Sequence, residues 1–327
     1  MIPRKQLEQD AASVSFRPEM VEKALTALSL LEAFVAHPYL RERFAVKGGT
    51  AINLFYFPLP RLSVDLELNY LGSGNEKETD GERTQMIAAL RAACQKTGLL
   101  LYEPRKEHNC WTWETSYRSP LVGQGGLSIN LHFLFRRPLW PILLHSSQPF
   151  ACRGVVSAPV TDLHELAAEK IVALFCRKVS VDLFDAHTLL EQKGLDQQRL
   201  RLGFVLFGAM NERDWRTIKV QDVSFRSEEF RTRLVPLLRK ETLQDTKIET
   251  YSDQITEECR SSLAAVLPLQ EQEREFLDRL LDYGELRGEL LTQDAAMVER
   301  INRHPGLTWK GETVHKRLNA PVVISKS

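Results

Sequence analysis

The sequence predicts an α/β (α+β) fold in which a mixed sheet flanked by helices precedes a helical C-terminal domain. Two periodicities and one shift of pattern carry that reading. Residues 62–70 alternate apolar and polar side chains, as a half-buried strand does. Residues 18–36 repeat Met20, Ala24, Leu28, Leu31 and Phe34 at helical spacing. From Thr161 onward the helical period dominates, so the change near Pro159 divides the chain into expected domains 1–158 and 159–327. A chain of 327 residues, 43% hydrophobic and 26% charged, holds material for one large globular domain or two ordinary ones.

The elements follow in order. After the helix at 18–36, the apolar Phe44-Ala45-Val46 leads into Lys47-Gly48-Gly49-Thr50. Residues 51–57 read as a short helix stopped by Pro58 and Pro60. In the strand 62–70, Leu62, Val64, Leu66, Leu68 and Tyr70 face one way and Ser63, Asp65, Glu67 and Asn69 the other. A polar loop at 72–83 precedes a helix at 84–97 ended by Gly98. Strands are expected at 99–103, 110–117 and 127–135, with a weaker one at 150–156. Asp162 and Glu165 form a capping-box start for a helix to Arg177. Further helices are expected at 185–192, 196–211, 227–239, 269–288 and 294–303.

Composition narrows the function classes. Forty-three Lys and Arg balance 43 Asp and Glu, so contact with nucleic acid has to come from local patches rather than a basic surface. Arg136-Arg137, Arg199 with Arg201, and Lys310, Lys316 and Arg317 are such clusters, although solvated surface is their commoner fate. The five cysteines are scattered without a CxxC pair, which suggests neither a disulfide framework nor a zinc site. The opening ten residues do not read as a signal peptide, and no run of about 20 apolar residues predicts a membrane span. A cytoplasmic protein without membrane contact is the expectation.

One constellation carries chemistry. Asp65 and Glu67, one residue apart on a strand, project from the same face about 7 Å apart along the chain. Such a pair suits Mg²⁺, a hard cation that takes oxygen ligands and keeps positions open for phosphate. A lone D-x-E is more often a solvated strand face. Here Gly48-Gly49-Thr50 stands fifteen residues upstream at a strand-to-helix turn. Glycines allow backbone N–H groups to approach phosphate, a helix N-terminus favours anions, and the Thr50 hydroxyl offers a donor. Lys170 and Arg177, seven residues apart, share a helix face that would suit a nucleotide triphosphate if turned toward the strand; a solvated helix edge competes with that reading. Trp111 and Trp113 read as packing residues, and His132 shares its strand face with Asn130.

Two blocks resemble a known family. Lys47-Gly48-Gly49-Thr50-Ala51-Ile52, followed by Arg61-Leu62-Ser63-Val64-Asp65-Leu66-Glu67-Leu68, resembles the GGTAL-type turn and R-x-S-x-D-L-D-L strand of the AbiEii/AbiGii nucleotidyltransferase toxins, within the DNA polymerase β-like superfamily. The later block, Glu165 to Lys170, Ala173-Leu174, Arg177, then Asp182-Leu183-Phe184-Asp185, resembles the family's Lys- and Arg-bearing helix and its R-D-x-x-D-L segment. The resemblance spans roughly residues 40–190 and implies a nucleotidyltransferase-fold domain followed by helices. It implies transfer of a nucleoside monophosphate from an NTP, with Mg²⁺ on Asp65 and Glu67 and phosphate on Gly48, Gly49 and Thr50. Lys170 becomes the triphosphate-binding lysine, with Arg177 in support, and Asp185, or else Asp182, a functional carboxylate near the acceptor. Asp182 also reads as a helix N-cap. The implied biology is a type IV toxin–antitoxin or phage-defence toxin, with the tRNA 3′ end as acceptor and a separately encoded antitoxin.

Two departures from the family pattern matter. Glu67 stands where the family has Asp, and the neighbouring strand offers neutral Asn130 where many relatives of the superfamily carry a third carboxylate. They favour one alternative, a nucleotide-binding pseudoenzyme that acts through a partner; the neutral net charge leaves open another, transfer to a protein side chain.

Overall fold

The computed structural model describes residues 2–58, 61–72, 76–107, 110–134, 136–192, 194–225, 227–243 and 246–319. Pro60 and Phe135, expected as a helix stop and a strand end, lie outside them. The chain opens with α1 (Arg4–Val14) and α2 (Pro18–Ala36), the latter started by a proline whose missing N–H costs nothing in a first turn. β1 (Phe44–Val46) runs into a helical turn, α3 (Gly48–Ala51), then β2 (Leu66–Tyr70) and α4 (Glu76–Lys96). Strands β3 (Leu100–Leu101), β4 (Arg105–Lys106), β5 (Cys110–Ser119), β6 (Gly123–Gly125), β7 (Ser128–His132), β8 (Leu143–Ser146) and β9 (Ser157–Val160) complete the sheet. The helical part comprises α5 (Leu163–Arg177), α6 (Ser180–Leu190), α7 (Gln197–Ala209), α8 (Ile248–Ser262), α9 (Glu271–Tyr283), α10 (Ala295–Asn302) and α11 (Pro305–Leu318).

The sheet is mixed, in the order β3-β5-β7-β2-β1-β9-β8, with β4 and β6 also paired to β5. β2 runs parallel to β7 and antiparallel to β1, while β9 lies parallel to β1. β9 straddles the domain boundary expected at residue 159, so the segment that opens the helical half is itself a strand of the sheet, between β1 and the edge strand β8. Alternation gives the sheet two faces. Leu66, Leu68, Ile129, Leu131, Trp111 and Trp113 are buried on one, which α4 helps to cover: Arg83 lies 5.2 Å from the Trp111 ring centroid and 4.9 Å from that of Phe133. The other face carries Glu67, Asn130 and Thr112 in register across β2, β7 and β5. Helices α5 and α6 pack together on the site side, with α7 against α5 and α8 against α6.

Several elements differ from expectation for local reasons. The strand read from residue 62 pairs with its sheet neighbours only from Leu66; before that, Arg61 bridges to Leu238 and the Leu62 N–H donates to Leu237. The expected strand at 150–156 is a tight turn in which Phe150 and Arg153 exchange backbone hydrogen bonds and Ala151 adopts φ +52°; β8 and β9 flank it. α4 begins at Glu76, within the stretch read as loop. The helix expected at 227–239 breaks into Ser227–Glu229 and two irregular turns, the second containing Pro236, which has no N–H to donate. α1, α8 and α11 had no counterpart in the reading. Among the described residues, no helix is long and apolar enough to cross a membrane.

Candidate active site

The site lies where the polar face of the sheet meets α5 and α6. Gly48 adopts φ +66°, a left-handed conformation that glycine enters without a Cβ clash. Close approach fixes the residue as well: a Cβ there would lie 2.4 Å from Cδ and Oε2 of Glu67. The Glu67 carboxylate thus rests against the glycine turn. A Cβ on Gly49 would stand 2.7 Å from the Ser63 hydroxyl and 3.0 Å from Nη2 of Arg61. The fully buried Thr50 hydroxyl donates to the Asp65 carbonyl, so its proton ties turn to strand instead of facing a ligand.

Asp65 and Glu67 project toward the same side, as alternation requires. Asp65 reaches solvent just before β2. Its carboxyl is hemmed in, and lost hydration followed by the Glu67 charge raises it above the ordinary range, against the Ser128 N–H and Lys23. Burial also raises Glu67, but Lys170, with Lys47 and Arg177 beside it, outweighs that and holds it below the ordinary value. Asn130 faces Glu67 across β7, and its side-chain oxygen accepts from the Thr112 hydroxyl at 2.8 Å. His132 is pushed down to about 3 by burial and by Lys47, so its imidazole is neutral at pH 7. The oxygen set of Asp65 and Glu67 fits a hard cation that completes its shell with water and substrate phosphate. Among the described residues no cluster of three or more acidic, His or Cys side chains forms a closed metal cage.

The cations opposite are held by carboxylates. Lys170 Nζ lies 2.9 Å from Oδ2 of Asp185 and 3.9 Å from Oδ1 of Asp182. Arg177 grips Asp182 through two hydrogen bonds of 2.6 and 2.8 Å, so Lys170 and Arg177 share a helix face as their spacing requires. Val179, not Asp182, is the N-cap of α6. Asp185 is fully buried between Lys170 and Arg61, which together bring its carboxyl down to about 2 despite burial. Its two oxygens accept from those cations. Lys47 pairs with Glu169 at 2.8 Å. At the other end of α5, Asp162 caps the His164 N–H, while Glu165 accepts from the Trp140 N–H rather than completing a capping box.

Sequence reasoning brought Asp65, Glu67, Gly48, Gly49 and Lys170 to one place but gave Lys47 and Arg61 no role of their own. Both stand inside the motif blocks, which was the available signal; their carboxylate partners are 122 and 124 residues away in sequence. The basic clusters offered for RNA are partly engaged within the fold: Arg201 with Glu273, Lys310 with the Asn211 carbonyl, Arg317 with the Leu281 carbonyl and Arg136 with that of Phe133. Trp113 is buried and packs in the sheet core, as read.

No curated protein matches the chain. Its fold is similar to that of MenT4, a nucleotidyltransferase toxin from Mycobacterium tuberculosis H37Rv, with a TM-score of 0.57 and 15% identity over 93% of this chain and 99% of that one. Residues 29–282 match the family model of the nucleotidyltransferase AbiEii toxins of type IV toxin–antitoxin systems. The chain belongs to that family.

Proposed function

We propose that this AbiEii-family nucleotidyltransferase toxin moves a nucleoside monophosphate from an NTP–Mg²⁺ complex to the 3′ end of tRNA. The observation that carries the proposal is the pairing of two carboxylates, Asp65 and Glu67, on one strand face with the cations Lys170, Lys47 and Arg177 beside them. A Mg²⁺ ion bound there would supply Lewis-acid stabilisation of the transferring phosphoryl group. The chain's own residues do the rest. Asp65 and Glu67 would hold the ion and orient it, and backbone N–H groups of the turn at Gly48, Gly49 and Thr50 would take a phosphate beside it. Lys170, with Arg177 at the more open end of the same helix face, neutralises the triphosphate and the departing pyrophosphate. Asp185 acts by holding Lys170 rather than by touching the acceptor. The reaction would take place in the cytoplasm, opposed by a separately encoded antitoxin, and would serve in phage defence.

A second reading, nucleotide binding without turnover, has two observations in its favour. Glu67 is already compensated by cations, and its register partner is neutral Asn130.

The deciding experiment mixes the protein with Mg²⁺, each α-labelled NTP and total tRNA, beside an Asp65→Ala variant. Label on tRNA that the variant loses supports the proposal; the several kcal/mol a metal contributes predict a loss of about a hundredfold or more. Label on protein moves the acceptor to a side chain. Nucleotide binding with no label anywhere favours the second reading.

A further inference from the structure

We infer that Arg61 is a positioning residue of the active site, which sets the place of the Lys170 ammonium through Asp185 and braces the glycine turn through Gly49. The inference rests on the transfer reading above. Arg61 is 2% exposed. Its Nε and Nη2 donate to Oδ1 and Oδ2 of Asp185 at 2.5 Å each, and its Nη1 donates to the Leu62 carbonyl at 2.9 Å. Oδ2 of Asp185 is shared: it also takes Lys170 Nζ at 2.9 Å. The same Nη2 lies 3.0 Å from the place of a Cβ on Gly49, so the fork abuts the turn. The backbone at this point is fixed by the bridge to Leu238 and the Leu62-to-Leu237 hydrogen bond.

One rigid guanidinium therefore touches three parts of the site: the turn, the strand approach and, through Asp185, the lysine of α5. The planar fork matters, because a lysine ammonium at residue 61 cannot engage both carboxylate oxygens and still back Gly49. While Arg61 shares the Asp185 charge, Lys170 stays on Asp185 at 2.9 Å and still acts electrostatically on Glu67 of the sheet. Without that sharing, Asp185 draws the ammonium toward α6 and away from the phosphates. An ion pair that served the fold alone would leave nucleotide binding by Lys170 unchanged when Arg61 is replaced.

A double-mutant cycle reads that difference. The full-length chain with Mg²⁺ is titrated calorimetrically with each α,β-methylene NTP, in wild type, Arg61→Lys, Lys170→Met and the double variant, with thermal unfolding of each as a check of folding. Arg61→Lys is expected to unfold cooperatively and to weaken analogue binding about tenfold, and the double variant to bind no more weakly than Lys170→Met alone, since the two act through one contact. Wild-type affinity in Arg61→Lys, with only its Tm lowered, overturns the inference and leaves a structural ion pair. Fully additive losses overturn it too, because Arg61 would then act independently of Lys170. Failure of the wild type to bind any analogue overturns the transfer reading first, and the inference with it.

Discussion

Replacing Gly48 by Ala perturbs the site in two separable ways. A left-handed residue with a Cβ costs about 1–2 kcal/mol. The new methyl would also lie 2.4 Å from Cδ and Oε2 of Glu67, and forcing that overlap adds about 1–3 kcal/mol. The expected loss is therefore about 2–5 kcal/mol, a large share of the roughly 5–15 kcal/mol that stabilises a typical domain. Urea unfolding measures it, with the m-value as a check that the denatured state is unchanged. Glu67→Asp shortens the side chain that meets the methyl, so Gly48→Ala in that background should recover the overlap part and keep the backbone part. Gly81→Ala is the control. Gly81 lies within α4 with nothing within 4 Å of an added Cβ, and the substitution should stabilise by about 0.5–1 kcal/mol. Equal stability of Gly48→Ala and wild type would refute the reasoning, as would an equal loss in the Gly81 control.

Three further outcomes are expected. Glu165 is buried and its carboxyl is pushed up to about 8; because that exceeds the unfolded value near 4.5, folding takes up a proton, and the group's contribution is complete below about pH 4.5 and lost as pH rises through 8. Glu165→Gln should therefore unfold less readily than wild type at pH 9 and lose part of the pH dependence, and parallel stability profiles between pH 5 and 9 would count against this. Asp185→Asn leaves Arg61 and Lys170 short of a buried counter-charge and should cost about 3–5 kcal/mol at pH 7 in denaturant unfolding. Since the Asp185 pKa is depressed to about 2 when folded, its contribution is complete above the unfolded value near 4 and fades as pH falls toward 2, where variant and wild type should converge. Gly208→Ala would set a methyl 2.0 Å from the Trp215 ring and should lower stability by about 1–3 kcal/mol, read by thermal unfolding.

The sequence by itself determined the parts whose signal is local. Alternation along Leu66, Glu67 and Leu68 assigned the carboxylate to the polar face, and the glycine pair marked a turn where the backbone had to be close to something. Spacing alone put Lys170 and Arg177 on one helix face. Only the tertiary structure decided what stands opposite those groups. That Gly48 makes room for the Glu67 carboxylate, that Lys47 meets Glu169, and that Arg61 meets Asp185 follow from strand order and from the docking of α5 and α6 on the sheet. The same docking gave Asp185 its two buried cationic partners, Arg61 and Lys170. Helices α8 and α11 escaped the sequence for a related reason: the packing of an apolar face stabilises a helix more than local propensity does, and the partner of that face is not adjacent in the chain.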